Sequence, residues 1–228
     1  MTELLQTQID YYRARAPEYD DWFYRRGRFD LGEAHSRQWQ REVQIVRDQL
    51  HSASNFEHIL EMAPGTGIWT AELMQIGARV TALDASPEMI NINRAKLLSD
   101  KVDYQLTDLF KYQPSRRYNM VFFGFWLSHV PADKLSGFLN TVHAALKPGG
   151  RLFFIDSRAL DLSKNHTGTA DLGAERQQRE LNDGRQFDIV KVYYDPAELS
   201  ETLSAHGFDI AVKTTGDFFI YADGRKAR

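Results

Sequence analysis

A doubly wound α/β fold is predicted for this chain, and three observations predict it. After residue 55, apolar strand-like runs alternate with amphipathic helical stretches, as a parallel sheet covered by helices on both faces requires. The first of these runs, His58 to Met62, passes into Ala63-Pro64-Gly65-Thr66-Gly67 and then into a helix. Open α/β sheets bind nucleotide-like ligands at such turns, beyond the carboxyl end of a strand. Finally, 228 residues with 43% hydrophobic content suit one sizeable core and are too few for two full ones.

Each element has its own signal. In residues 33 to 52, Trp39, Val43, Val46 and Leu50 recur at helical spacing, so this helix should pack on the sheet just before the first strand. Residues 1 to 32 form a separate lid segment, dense in aromatics from Tyr11 to Tyr24. Ile59 and Leu60 supply the buried first strand, with Glu61 near its carboxyl end. Gly65 and Gly67 allow a tight turn and close approach to a ligand, which a Cβ would obstruct. Trp69, Leu73 and Ile76 mark the next helix, which stops at Gly77.

Val80 to Asp84 reads as a second strand ending in an acid. Ala85 and the start signal Ser86-Pro87-Glu88 follow, with Met89 in the first turn of the helix. Val102 to Leu106 is a third strand, with Asp108 and Leu109 just past it. Asn119 to Phe125 is a fourth, running through Gly124 and Phe125 into Trp126, Leu127, Ser128 and His129. Lys147-Pro148-Gly149-Gly150 then turns into the strand Leu152 to Ile155. Residues 157 to 186 read as a cap insertion, with a loop at Asn165 to Thr169 and a polar helical stretch at Ala174 to Glu180. A strand from Gln186 to Tyr194 and a helix from Asp195 to Gly207 come next. A hairpin, Phe208 to Val212 against Phe218 to Tyr221, closes the chain.

Two familiar phosphate-binding readings of the glycine turn fail. A dinucleotide loop needs a third small residue three positions after Gly67, where Thr70 stands. A Walker loop needs Gly-Lys-Ser/Thr, and no lysine follows Gly67. What remains is an acid, a small residue and two glycines, and an acid there suits a cationic ligand better than a pyrophosphate. With its ordered successors over residues 58 to 156, this pattern resembles the class I S-adenosylmethionine-dependent methyltransferases. Within them it is similar to a bacterial small-molecule subgroup of the natural-product tailoring type, on Glu61 to Thr70, Phe122 to Pro131 and Lys191 to Leu199. Ala63 departs from the family, where glycine is usual.

The resemblance implies a Rossmann-like sheet of seven mostly parallel strands, finished by an antiparallel hairpin and covered by a helical N-terminal cap. It implies S-adenosyl-L-methionine as cofactor, leaving as S-adenosyl-L-homocysteine. Its binding residues are expected to be Glu61, Ala63, Gly65, Gly67 and Trp69 around the first turn, and Asp84, Ala85 and Met89 around the ribose. Asp108, Leu109, Gly124, Phe125 and Trp126 are expected at the adenine, with Tyr12 and Tyr19 reaching from the lid. His129 is the candidate general base, with Tyr19 as the alternative that orients the acceptor.

The acceptor is expected to be a small organic molecule methylated on oxygen or nitrogen, chosen by the cap rather than the core. Alternatives are a protein or RNA methyltransferase, or a binder without turnover. A net charge of −3 and a pI near 6.2 argue against a broad nucleic-acid surface. The chain has no cysteine, no apolar run of membrane length and no signal-peptide pattern, so a cytoplasmic enzyme is expected. The seven histidines lack metal-ligand spacing, so no metal is expected.

Overall fold

The structure, a computed structural model, describes residues 2–158 and 175–227. The N-terminal segment folds as α1 (Glu3–Arg15) and α2 (Tyr19–Phe23), and α3 (Glu33–Leu50) leads into the sheet. The core then alternates through β1 (Phe56–Met62), α4 (Ile68–Ile76), β2 (Gly77–Asp84), α5 (Pro87–Leu97) and β3 (Val102–Leu106). It continues with β4 (Tyr118–Gly124), α6 (Ala132–Ala145) and β5 (Leu146–Ser157). A short hairpin, β6 (Arg176–Glu180) and β7 (Gln186–Val190), precedes α7 (Pro196–Ala205), β8 (Phe208–Thr214) and β9 (Phe219–Lys226).

The main sheet has seven strands in the order β3-β2-β1-β4-β5-β9-β8, and only β9 runs antiparallel to its neighbours. Strand order reverses between β1 and β4, so a crevice opens beyond their carboxyl ends. Side chains alternate across the sheet. Phe122 and Phe153 pack toward Trp39, Val46 and Leu73 on the face covered by α3 and α4. Phe123 and Phe154, stacked 5.0 Å apart, pack toward Leu139, Val142 and Leu203 on the face of α6 and α7. Each such fully buried ring contributes roughly 1.5–3 kcal/mol by leaving water.

The helix starts follow their sequence signals. Ser86 Oγ accepts from Met89 N at 3.1 Å, with Pro87 in the first turn of α5. Asp195 Oδ1 accepts from the amides of Ala197 and Glu198 at the start of α7. Among the described residues, no helix is long and apolar enough to cross a membrane.

One prediction is corrected. Arg176 to Glu180, expected in a helix, is strand β6, paired antiparallel with β7 from Arg176↔Val190 to Glu180↔Gln186. The stretch is polar throughout and carries no apolar period, so its partner strand decides its conformation. The strand expected to reach Tyr194 ends at Val190, and the loop at Asn165 to Thr169 lies outside the described residues. Around the hairpin, Tyr11, Leu181 and Ile189 form a third small core that fastens α1 to β6 and β7.

Candidate active site

The glycine turn is held by backbone conformation and by a buried polar network. Gly65 (φ 55°) and Gly67 (φ 93°) are both left-handed, and a Cβ on Gly67 would sit 2.6 Å from Asn93 Oδ1. Ala63 is left-handed too, at φ 57°, which costs a side-chain-bearing residue roughly 1–2 kcal/mol. Phe125, across the crevice, has φ 56°. Two of the five left-handed non-glycine residues among the described residues thus flank the switch point, a place where sites commonly store strain.

Asn93 of α5 is fully buried and was not singled out in the sequence. Its Nδ2 donates to Thr70 Oγ1 (2.9 Å) and Gly65 O (3.3 Å), while Tyr104 O–H donates to its Oδ1 at 2.7 Å. Thr70 in turn donates to Glu61. The residue that spoils a dinucleotide loop therefore ties the turn to the acid beneath it. A polar residue on the apolar stripe of Met89 and Ile90 was the available signal.

Glu61 is 1% exposed, and its Oε2 has no hydrogen-bond partner among the described residues. Burial pushes its carboxyl up to about 8, against the Thr70 bond, and nearby Asp84 adds to the rise. Asp84 is raised to about 6 by burial, although its oxygens accept from Gly65 N (3.1 Å) and Ser86 N (2.9 Å). It therefore also shapes the turn, a role its position past a strand does not reveal.

A cavity of about 220 Å³ opens along this crevice. Its lining brings together Ala63, Gly65, Asp84, Ala85, Met89, Asp108, Leu109, Gly124, Phe125 and Trp126. Tyr12, Tyr19 and His129 close it from the lid end. Three expected residues lie apart from it. Glu61 and Trp69 border a small void beneath, shared with Tyr19, Ala63 and Gly124, while Gly67 caps α4 beside Asn93. Trp69 also fixes Gly124, where a Cβ would come within 2.9 Å of its ring. Trp126 packs on Phe110, and its Nε1 has no partner among the described residues.

The N-terminal helical region is fastened to this framework. Thr66, inside the glycine turn, donates to Asp20 Oδ1 at 2.6 Å, and Lys96 pairs with the same carboxylate. Arg13 of α1 forms an ion pair with Glu88 at 3.0 Å. Buried Gln8 donates to His129 O (3.1 Å) and accepts from Val190 N (3.0 Å).

His129 has both ring nitrogens engaged. Val190 O lies 2.7 Å from Nδ1 and can only accept, so Nδ1 carries the proton. Nε2 is then a lone pair that accepts from Tyr12 O–H at 2.6 Å. Burial holds the imidazole well below its ordinary range, and Lys191 pushes the same way. Burial likewise raises the hydroxyls of Tyr12 and Tyr19. Beyond this pair a second cavity of about 200 Å³ begins, bordered by Tyr12, Tyr19, Phe125 and His129 on the shared side.

Residues 59–150 match the family model described as a methyltransferase domain. The solved structure of DhpI with SAH is 36% identical, covers 98% of this chain and 97% of that one, and superposes with a TM-score of 0.81. A complex of DhpI with SAM and HEP is 35% identical over 99% of each chain, with a TM-score of 0.80. A ubiquinone biosynthesis O-methyltransferase from Xanthomonas euvesicatoria pv. vesicatoria (strain 85-10) is 30% identical over 67% of this chain. The match spans 62% of that relative's own length. The mainly apolar cavity, the carboxylates of Asp84 and Asp108 in its wall and the unpartnered Glu61 oxygen beneath suit a nucleoside with a cationic tail. The chain belongs to the class I S-adenosylmethionine-dependent methyltransferases, with S-adenosylmethionine as its cofactor.

Proposed function

We propose that the protein transfers a methyl group from S-adenosylmethionine to an oxygen or nitrogen of a small organic molecule. The observation that carries this reading is the junction of the two cavities at Tyr12, Tyr19, Phe125 and His129. A second compartment of about 200 Å³ beside the cofactor cavity is the size of a small acceptor. Its cover by α1 and the β6–β7 hairpin favours a small acceptor over a protein or RNA, which would need an open groove.

When bound, the cofactor supplies a methyl group already activated on sulfonium. Asp84 would hold the ribose and Asp108 the adenine amino group, with Met89, Leu109 and Trp126 flanking the ring. Glu61 would favour the positive methionine end through the turn it supports. Tyr12 and Tyr19 would define the passage between the cavities, excluding water and aligning the acceptor.

His129 serves in this reading as a positioning residue. Its only lone pair is occupied by Tyr12, so a proton could reach it only through that hydroxyl. Alignment by Tyr12 and Tyr19 then supplies most of the acceleration, with an acceptor that arrives ionised or as a neutral amine. The test is release of S-adenosylhomocysteine on incubation with a fractionated metabolite extract. Release that survives protease and RNase treatment supports the small-molecule reading. Release abolished by either treatment transfers the acceptor to that macromolecule, and no release from any fraction favours a binder without turnover.

A further inference from the structure

The second cavity carries a charge pattern that methyl transfer as such does not require. Arg15 from α1, Arg28 from the turn after α2, Arg179 from β6 and Lys191 just past β7 all line it. Glu180 is the only acidic residue in its lining among the described residues. Arg28 lies 3.8 Å from Glu18, and buried Lys191 lies 3.5 Å from Asp156 while donating to Ser128 Oγ at 2.7 Å. Among the described residues, neither Arg15 nor Arg179 has a carboxylate within ion-pair distance. Arg15 is nonetheless held in place, its guanidinium 5.2 Å from the Tyr19 ring centre and 5.5 Å from that of Tyr11.

These cations come from separate segments and converge on one spot. Arg15, Arg179 and Lys191 all act on the same buried imidazole of His129, each disfavouring its protonation. Asp156 partners Lys191 and Glu18 acts on Arg15, which compensates the cluster in part. The positive charge left over at Arg15 and Arg179 favours an anion beside it. Guanidinium groups match the paired oxygens of an oxyanion, and a buried ammonium adds a point charge.

We propose that this cavity is the acceptor site and that the acceptor is a small oxyanion, recognised through a carboxylate, phosphoryl or sulfo group by Arg15, Arg179 and Lys191. This rests on the methyltransferase reading and deepens it by naming the substrate class. It also explains why a histidine at the junction is kept neutral and tied to Tyr12, since a general base is unnecessary for an acceptor that arrives ionised.

The test is calorimetric titration of the S-adenosylhomocysteine-saturated protein with inorganic phosphate, sulfate and acetate, with ethylammonium as control. At least one anion should bind with a dissociation constant on the order of millimolar, and ethylammonium should not. Arg15→Gln and Arg179→Gln should each weaken that anion about tenfold while leaving S-adenosylhomocysteine affinity unchanged, which also certifies their folding. With no response to any anion at about 50 mM while S-adenosylhomocysteine still binds, the oxyanion site is overturned and the methyltransferase reading stands. Anions that displace S-adenosylhomocysteine would assign the cations to the cofactor's own carboxylate and overturn the proposal. Failure of the wild type to bind S-adenosylhomocysteine would overturn both.

Discussion

The cavity at the strand ends and its neighbour meet at Tyr12, Tyr19, Phe125 and His129, yet they are built in opposite ways. The first is mostly apolar and takes its walls from consecutive strand ends, with Asp84 and Asp108 set among Met89, Leu109 and Trp126. Lys111 and Lys134 also reach it, Lys111 largely in solvent and 3.6 Å from Asp108. The second is polar and cationic, assembled from α1, the turn after α2, and the β6–β7 hairpin. A rigid sheet edge thus presents carboxylates, and a cap added around it presents guanidinium groups. The first lining follows from the strand ends of the sheet, whereas the second depends on what α1 and the hairpin bring.

That contrast can be broken at its cofactor end most easily. Asp84→Ala should weaken S-adenosylmethionine binding by ~1.5–3 kcal/mol, about ten- to a hundredfold in a titration. It should leave anion binding in the second cavity nearly unchanged. Equal losses at both sites would mean that Asp84 acts by holding the turn at Gly65 and Ser86, and the two cavities would not be separable.

Proton linkage sharpens the same contrast. Glu61 and Asp84 are raised by burial to about 8 and about 6, above the ~4 of an unfolded chain. In that interval the native state binds more protons than the unfolded one. Their contribution to stability is therefore full below pH ~4 and falls as pH rises, through 6 for Asp84 and 8 for Glu61. Melting of the ligand-free protein should show this decline, and Glu61→Gln should flatten it. Affinity for the cationic cofactor should rise about tenfold across the same range, since ligand and proton compete for the carboxylates. Affinity independent of pH would mean that both carboxyls are already ionised.

At the junction, His129→Ala should lower kcat less than about tenfold, whereas loss of a true general base costs ~10²–10⁴-fold. Tyr19→Phe should cost more than His129→Ala, by single-turnover measurement with any acceptor found. A larger loss for His129, with a rate rising at a pH below the ordinary histidine range, would restore it as the base.

The smallest effect is expected at Ala63. Ala63→Gly should relieve left-handed strain, partly offset by a more flexible unfolded chain, for a net gain of up to ~1 kcal/mol in denaturant unfolding. Destabilisation instead would show that the methyl group is needed for packing.

The lining of the first cavity was legible because its signals are local. Gly65, Gly67, Asp84, Ser86 and Asp108 each sit within a few residues of a strand end, so chain order places them together. The second cavity depends on contacts between distant segments. Arg15, Arg179 and Lys191 are charges in unrelated stretches, and nothing in their own surroundings predicts that they meet. Arg176 to Glu180, predicted helical, is polar throughout and carries no apolar period, so only its pairing with β7 makes it a strand. Thr70 was legible only as a misfit, because its partners Asn93 and Glu61 sit on other elements.

Gln8 shows what such a distant contact can do. Its side-chain amide behaves as a peptide group would, offering its oxygen to Val190 N and its N–H to His129 O. A helix thereby supplies, from one side chain, the link a neighbouring strand would have given to the edge of β7. Shape alone does not satisfy this position. Glutamate is nearly isosteric with glutamine, but as a carboxylate it has no proton to give, and its second oxygen would face the carbonyl of His129 lone pair to lone pair. The requirement at residue 8 is for polarity in a given direction, set by the two backbone groups it joins.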